Sequence, residues 1–202
     1  MSEEAVALIE DYAQQGAKLR VDFCSDNSSR IVEIARTMAV RLVHGGKILL
    51  CGNGGSAADA QHIAAEFVNK FQMERPPLPA LALTTDTSVL TAIGNDDGFR
   101  HVFSKQAKAL AGESDVFVGI STSGRSEDVN EALRCVAEKG IVTVGLTGRD
   151  GGEMNELCDF VLRVPSDNTA LIQEVHITAG HLMCRLVDYF LFEAVDKLQP
   201  YI

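Results

Sequence analysis

The amino-acid sequence predicts an α/β fold with three layers, helices on both sides of a five-stranded parallel sheet, on three observations. Short apolar runs at 47–51, 80–83, 116–120, 141–146 and 160–164 alternate with longer stretches of helical periodicity. These runs have no polar face, as expected of strands covered by helices on both sides. Small polar residues and glycines follow the runs, at 52–56, 84–86, 121–126 and 147–150. In parallel sheets ligands bind beyond the carboxyl ends of the strands, where the strand order reverses.

Residues 3–22 and 29–42 read as two helices, the second carrying Ile31, Ile34, Ala35, Met38, Ala39 and Leu42 on one face. His44-Gly45-Gly46 ends it, and the first strand follows. Gly52-Asn53-Gly54-Gly55-Ser56 then turns into a helix over 56–71, on which His62 and Glu66 are spaced i and i+4 and so share a face. The stretch 88–110 reads as helical with a break around Gly94, and 126–139 as a further helix. The final helix, 169–197, is apolar on most sides through Val175, Leu182, Met183, Leu186, Phe190 and Leu191, which predicts burial in a homo-oligomer. His176, His181, Arg185, Asp188 and Glu193 interrupt it too often for a membrane span.

A chain of 202 residues suits one domain, 1–202, with a full hydrophobic core. Its 18 Lys and Arg stand against 28 Asp and Glu, a net charge of −10 that argues against nucleic acid or an anionic membrane as partner. The five cysteines form no C-x-x-C pair and read as reduced thiols. Met1-Ser2-Glu3-Glu4 lacks the basic, then apolar, character of a secretion signal, so the expected location is the cytoplasm.

Ser121-Thr122-Ser123-Gly124-Arg125-Ser126 offers four hydroxyls and backbone amides at the start of a helix, a composition suited to a phosphate. Capping alone would need one hydroxyl. Gly52, Gly54 and Ala57 also match G-x-G-x-x-A, but a dinucleotide site expects an acid about twenty residues on, and Asp86 comes much later. His62, Glu66 and His181, with Gln173 or Glu174, supply imidazoles and oxygens that suit zinc or a similar divalent ion. Helix arithmetic places Glu174 and His181 nearly on one face and so favours Glu174. His44, His101 and His176 read as structural.

Together Cys-Gly-Asn-Gly-Gly-Ser at 51–56, Gln-His-Ile-Ala-Ala-Glu at 61–66, Gly-Asn-Asp at 94–96, Gly-Ile-Ser-Thr-Ser-Gly at 119–124, Leu-Thr-Gly-Arg-Asp-Gly-Gly at 146–152 and Ile-Gln-Glu-Val-His at 172–176 resemble the sugar isomerase (SIS) domain family, and within it the phosphoheptose isomerases. The resemblance covers nearly the whole chain. It implies a homotetramer with one zinc ion per subunit, held by His62, Glu66, Gln173 and His181, and an acid/base pair of Glu66 and His181. It further implies a sugar phosphate bound by Ser121, Thr122, Ser123 and Ser126, with Asn53, Gly54, Gly55, Asn95 and Asp96 on the sugar chain and Glu66 and Gln173 also in reach of it. On this point it selects Gln173 over Glu174.

The implied reaction converts sedoheptulose 7-phosphate to D-glycero-D-manno-heptose 7-phosphate through an enediol, the first step towards the ADP-heptose of lipopolysaccharide core or capsule. Three residues depart from the pattern: Lys70 and Leu171 stand where arginine is common, and Arg125 replaces an asparagine. The same resemblance allows a non-catalytic binding protein of the replication-initiator-associating type. Those relatives have lost the carboxylate and the late histidine that Glu66 and His181 supply here.

Overall fold

All five apolar runs form strands in the computed structural model, which describes residues 2–202: β1 (Ile48–Gly52), β2 (Ala80–Ala82), β3 (Val116–Ser121), β4 (Val142–Gly148) and β5 (Phe160–Val164). They pair in parallel in the order β2-β1-β3-β4-β5. The chain leaves β1 towards one edge and returns to build β3 on its other side, so the order reverses between β1 and β3. Both strands are buried along their whole length.

The helices are α1 (Glu3–Val43), α2 (Gly55–Val68), α3 (Thr87–Asp96), α4 (Val102–Leu110), α5 (Glu127–Ala137), α6 (Met154–Leu157) and α7 (Thr169–Asp188). Strand side chains alternate between two cores. Ile48, Leu50, Val118, Ile120 and Leu146 pack with Ile34 and Met38 of α1, Ile63 and Phe67 of α2, and Ile172 and Val175 of α7. Leu49, Cys51 and Phe117 pack on the opposite face with Phe103 of α4, Leu133 of α5 and Met154 of α6. Full burial of a Leu or Ile is worth about 1.5–3 kcal/mol, enough for a short strand such as β1 to persist without a polar face.

The structure corrects three boundaries. The two expected N-terminal helices are one helix of 41 residues. The polar run 25–28 stays helical because Asn27 Nδ2 donates to the Phe23 carbonyl at 2.9 Å and Ser28 Oγ to the Ser25 carbonyl at 3.2 Å, so these side chains bond back along the helix. The break expected around Gly94 falls instead at Asp97 and Gly98, where φ of +94° suits glycine and α3 ends. The final helix stops at Asp188, and a π-helical turn over Tyr189–Glu193 follows, with Ala194 N donating to the Tyr189 carbonyl at 2.8 Å. This turn brings Leu198 back onto the core, where it is buried.

Candidate active site

α2 and α7 pack closely at Gly180. A Cβ there would lie 2.5 Å from Ile63 Cδ1, so a larger residue would hold the helices apart. His62 and His181 are the sequence neighbours of these two contact residues, and the close approach brings them together. His181 Nε2 lies 3.5 Å from His62 Nε2, which in turn lies 3.0 Å from Glu66 Oε1. Ligand atoms of all three residues fall within 4.8 Å of one another. Phe71 stacks on the His181 ring at 5.2 Å between centroids, covering one side of the cluster. Burial and the neighbouring His62 lower the His181 pKa, with Glu66 opposing them, so the neutral imidazole is favoured.

This donor set fits zinc. Two imidazole nitrogens facing each other beside a carboxylate form the mixed nitrogen and oxygen set that a divalent ion of intermediate softness takes. Gln173 does not join the cluster within one chain. Its amide rests against Gly55, where a Cβ would lie 2.4 Å from Gln173 Nε2. That is eight residues before His181 on α7, about 12 Å of helical rise. Glu174, favoured by helix arithmetic, points elsewhere: its Oε1 accepts a hydrogen bond of 2.5 Å from Tyr12 on α1. The arithmetic failed because α7 is covered on two sides, and sharing a face with His181 did not say which neighbour that face meets.

The serine loop sits at the reversal of strand order, after β3. Ser126 occupies the position before α5, yet its hydroxyl does not cap the helix; it bonds Ser121 Oγ at 2.9 Å. Ser123 Oγ accepts from Arg125 N at 3.2 Å, and Thr122 is half-buried with its carbonyl packed towards Gly148. Four hydroxyls in one turn, with the capping position used for a hydroxyl pair, fit an anion site better than a simple helix cap. Across the crevice Asn53 donates through Nδ2 to both oxygens of Asp128, at 3.0 and 2.9 Å. This fixes the amide beside the loop and directs its remaining hydrogen-bonding capacity to its carbonyl oxygen. Gly54 and Gly55 lie exposed at the start of α2.

Asn95 and Asp96 stand exposed at the end of α3, where Asn95 Nδ2 donates to Asp96 Oδ1 at 2.8 Å. Among the described residues no hydrogen bond joins them to the histidine cluster or the serine loop. Asp86, weighed as a ribose ligand, is the N-cap of α3 and accepts from Val89 N at 3.0 Å. His176 is fully buried and bonds the Thr147 carbonyl at 3.0 Å, a structural role. Of the departing residues, Lys70 pairs with Glu74, and Leu171 is buried close to Gly16 of α1. Arg125 makes two bonds to Asp150, of 2.8 and 2.6 Å, tying the serine loop to the one after β4. Asp128 was missed by sequence reasoning, although an acid two residues past the serine loop was its signal.

A model of the SIS domain family matches residues 11–148. Over all 202 residues the chain is 64% identical to the phosphoheptose isomerase of Solidesulfovibrio magneticus, covering 98% of that protein. It is 59% identical to that of Nitratidesulfovibrio vulgaris (strain Miyazaki F), again over all of this chain and 97% of the relative. The solved phosphoheptose isomerase GmhA from Neisseria gonorrhoeae superposes with a TM-score of 0.86 at 45% identity, over 91% of this chain and 98% of that one. The phosphoheptose isomerase structure from Francisella tularensis gives a TM-score of 0.88 at 39% identity, over 93% and 99%. With the family model, whole-length relatives and a shared fold in agreement, the chain belongs to the phosphoheptose isomerase family of SIS domain proteins.

Proposed function

We propose that the chain is an aldose-ketose isomerase that converts sedoheptulose 7-phosphate to D-glycero-D-manno-heptose 7-phosphate and so feeds heptose synthesis. The observation that carries this reading is the meeting of Glu66 and His181, from two helices, around His62. Moving a carbonyl from C2 to C1 requires a base for a carbon-bound proton and a group that shifts protons between neighbouring oxygens. Glu66 takes the proton from C1 and returns it to C2. His181, favoured as the neutral imidazole, takes the proton from O1 and supplies the one on O2, so protons balance across the enediol. The serine loop holds the phosphate at the far end of the open-chain sugar, and Asn53, Gly54 and Gly55 meet its hydroxyls.

Zinc is the proposed metal, held by His62, Glu66 and His181, with Gln173 the further ligand suggested by resemblance. It would supply Lewis-acid polarisation of the substrate carbonyl. The proposed assembly is a homotetramer, supported by the exposed apolar residues Leu8 and Ile9 near the start of α1. The expected compartment is the cytoplasm, in keeping with five free cysteines. Among the described residues no helix is long and apolar enough to cross a membrane. Incubating the purified protein with sedoheptulose 7-phosphate and following the sugar carbons by NMR should give an aldoheptose 7-phosphate; no product would reject the reading.

A further inference from the structure

Glu66 lies in the last turn of α2, where backbone carbonyls lack intrahelical partners and a helix frays most readily. Here Arg75, from the segment between α2 and β2, fills that role. Its guanidinium donates from Nη2 to the Glu66 carbonyl and from Nη1 to the Phe67 carbonyl, both at 2.8 Å, and from Nη1 to the carbonyl of Pro76 at 3.1 Å. Nε donates to Asp188 Oδ1 at 2.7 Å, and both side chains of this ion pair are 1% exposed. Asp188 closes α7, seven residues after His181 and therefore on the same side of that helix. One buried cation thus holds the end of the helix bearing Glu66 and the end of the helix bearing His181.

We propose that Arg75 is a positioning residue, a clamp with Asp188 that sets the placement of Glu66 relative to His181 and His62. Resting on the isomerase reading, it assigns a role to a side chain that touches neither substrate nor metal. The planar fork is essential because three directions must be met at once: the two α2 carbonyls and the α7 carboxylate. A cation at a helix C-terminus is also favoured by the helix dipole. A surface ion pair could be lost at little cost, but a buried one that bridges two site-bearing helices transmits its loss to both.

Two variants test the clamp. Arg75→Lys keeps a charge for Asp188 but not the fork, and the double variant Arg75→Met/Asp188→Leu removes both charges without stranding either. Each is compared with wild type by thermal denaturation, by kcat and KM on sedoheptulose 7-phosphate, and by zinc titration of the metal-free protein. The expected result is a kcat lower by about 10- to 100-fold with KM changed by less than about threefold, because the phosphate loop is untouched. Zinc affinity should fall by about 10- to 100-fold, the usual effect of losing support behind a ligand. The double variant should regain thermal stability without regaining kcat or zinc affinity. Folded variants with wild-type kcat and zinc affinity would overturn the proposal and reduce the pair to a structural salt bridge. If wild type turns over no sedoheptulose 7-phosphate, the isomerase reading fails separately and the zinc titration decides: weaker binding in both variants supports the clamp, and unchanged binding removes it.

Discussion

Two buried or half-buried side chains must both stay free of an added proton, one as a charged carboxylate and one as a neutral imidazole. Glu66 must be a carboxylate to act as a base while its Oε1 lies 3.0 Å from His62 Nε2. Replacing it with glutamine keeps the shape and removes the proposed base, so Glu66→Gln should lower kcat by roughly 10²- to 10⁴-fold in the aldoheptose assay. His176 instead must stay neutral. Burial lowers its pKa to about 4, with the bond to the Thr147 carbonyl opposing. The unfolded chain takes up this proton near pH 6.5 and the folded chain does not, so the stabilising contribution is full above pH 6.5 and declines as pH falls towards 4. The loss reaches up to about 3 kcal/mol. Asp59, raised to about 6 by burial, works in the other sense, gaining stability as pH falls. Chemical denaturation at pH 7 and pH 4.5 should therefore show a smaller loss for His176→Gln than for wild type, since both retain Asp59. Equal losses would remove His176 as the source.

At the scale of elements, the central strands β1 and β3 were legible because they are buried along their whole length and read as apolar runs, whereas the edge strands β2 and β5 were legible from their apolar composition despite exposed positions such as Leu81 and Arg163. Helix continuity was less so: the polar run 25–28 resembles a loop, but its side chains bond back to the helix and Phe23 is buried beside it. The helix pair carrying the site was legible as chemistry through His62, Glu66 and His181, yet not as geometry. Whether Gln173 or Glu174 faced the crevice depended on α1, whose Tyr12 takes Glu174, and Arg75 had no periodicity to announce it. The contact that brings His62 to His181 rests on Gly180 meeting Ile63. Gly180→Ala should therefore cost about 1–3 kcal/mol by overpacking and lower kcat with it. Adding Ile63→Val removes the nearest methyl, Cδ1, and should recover part of both losses. If Gly180→Ala left kcat and unfolding free energy unchanged, the close approach would not be what holds the site together.

At the scale of the whole molecule, one chain does not gather every residue that the family pattern places at the substrate. His62, Glu66 and His181 meet, whereas Gln173 lies against Gly55 and Asn95 and Asp96 stand at the exposed end of α3. The start of α1 has the complementary deficit. Leu8 and Ile9 are 68% and 70% exposed, with Val6 and Tyr12 also open, on a helix whose first fully buried large side chain is Phe23. In the proposed homotetramer this exposed apolar stretch would be the docking surface for another copy, and each copy that docked there would bring further residues to a crevice. Leu8→Glu/Ile9→Glu places two charges on that surface without touching the folded core, so sedimentation should show species smaller than the wild-type assembly while circular dichroism stays unchanged. If the proposed assembly completes the crevice, kcat should fall in step with the loss of assembly, and raising the protein concentration should restore both. Dissociation with full kcat would place every essential residue within a single chain.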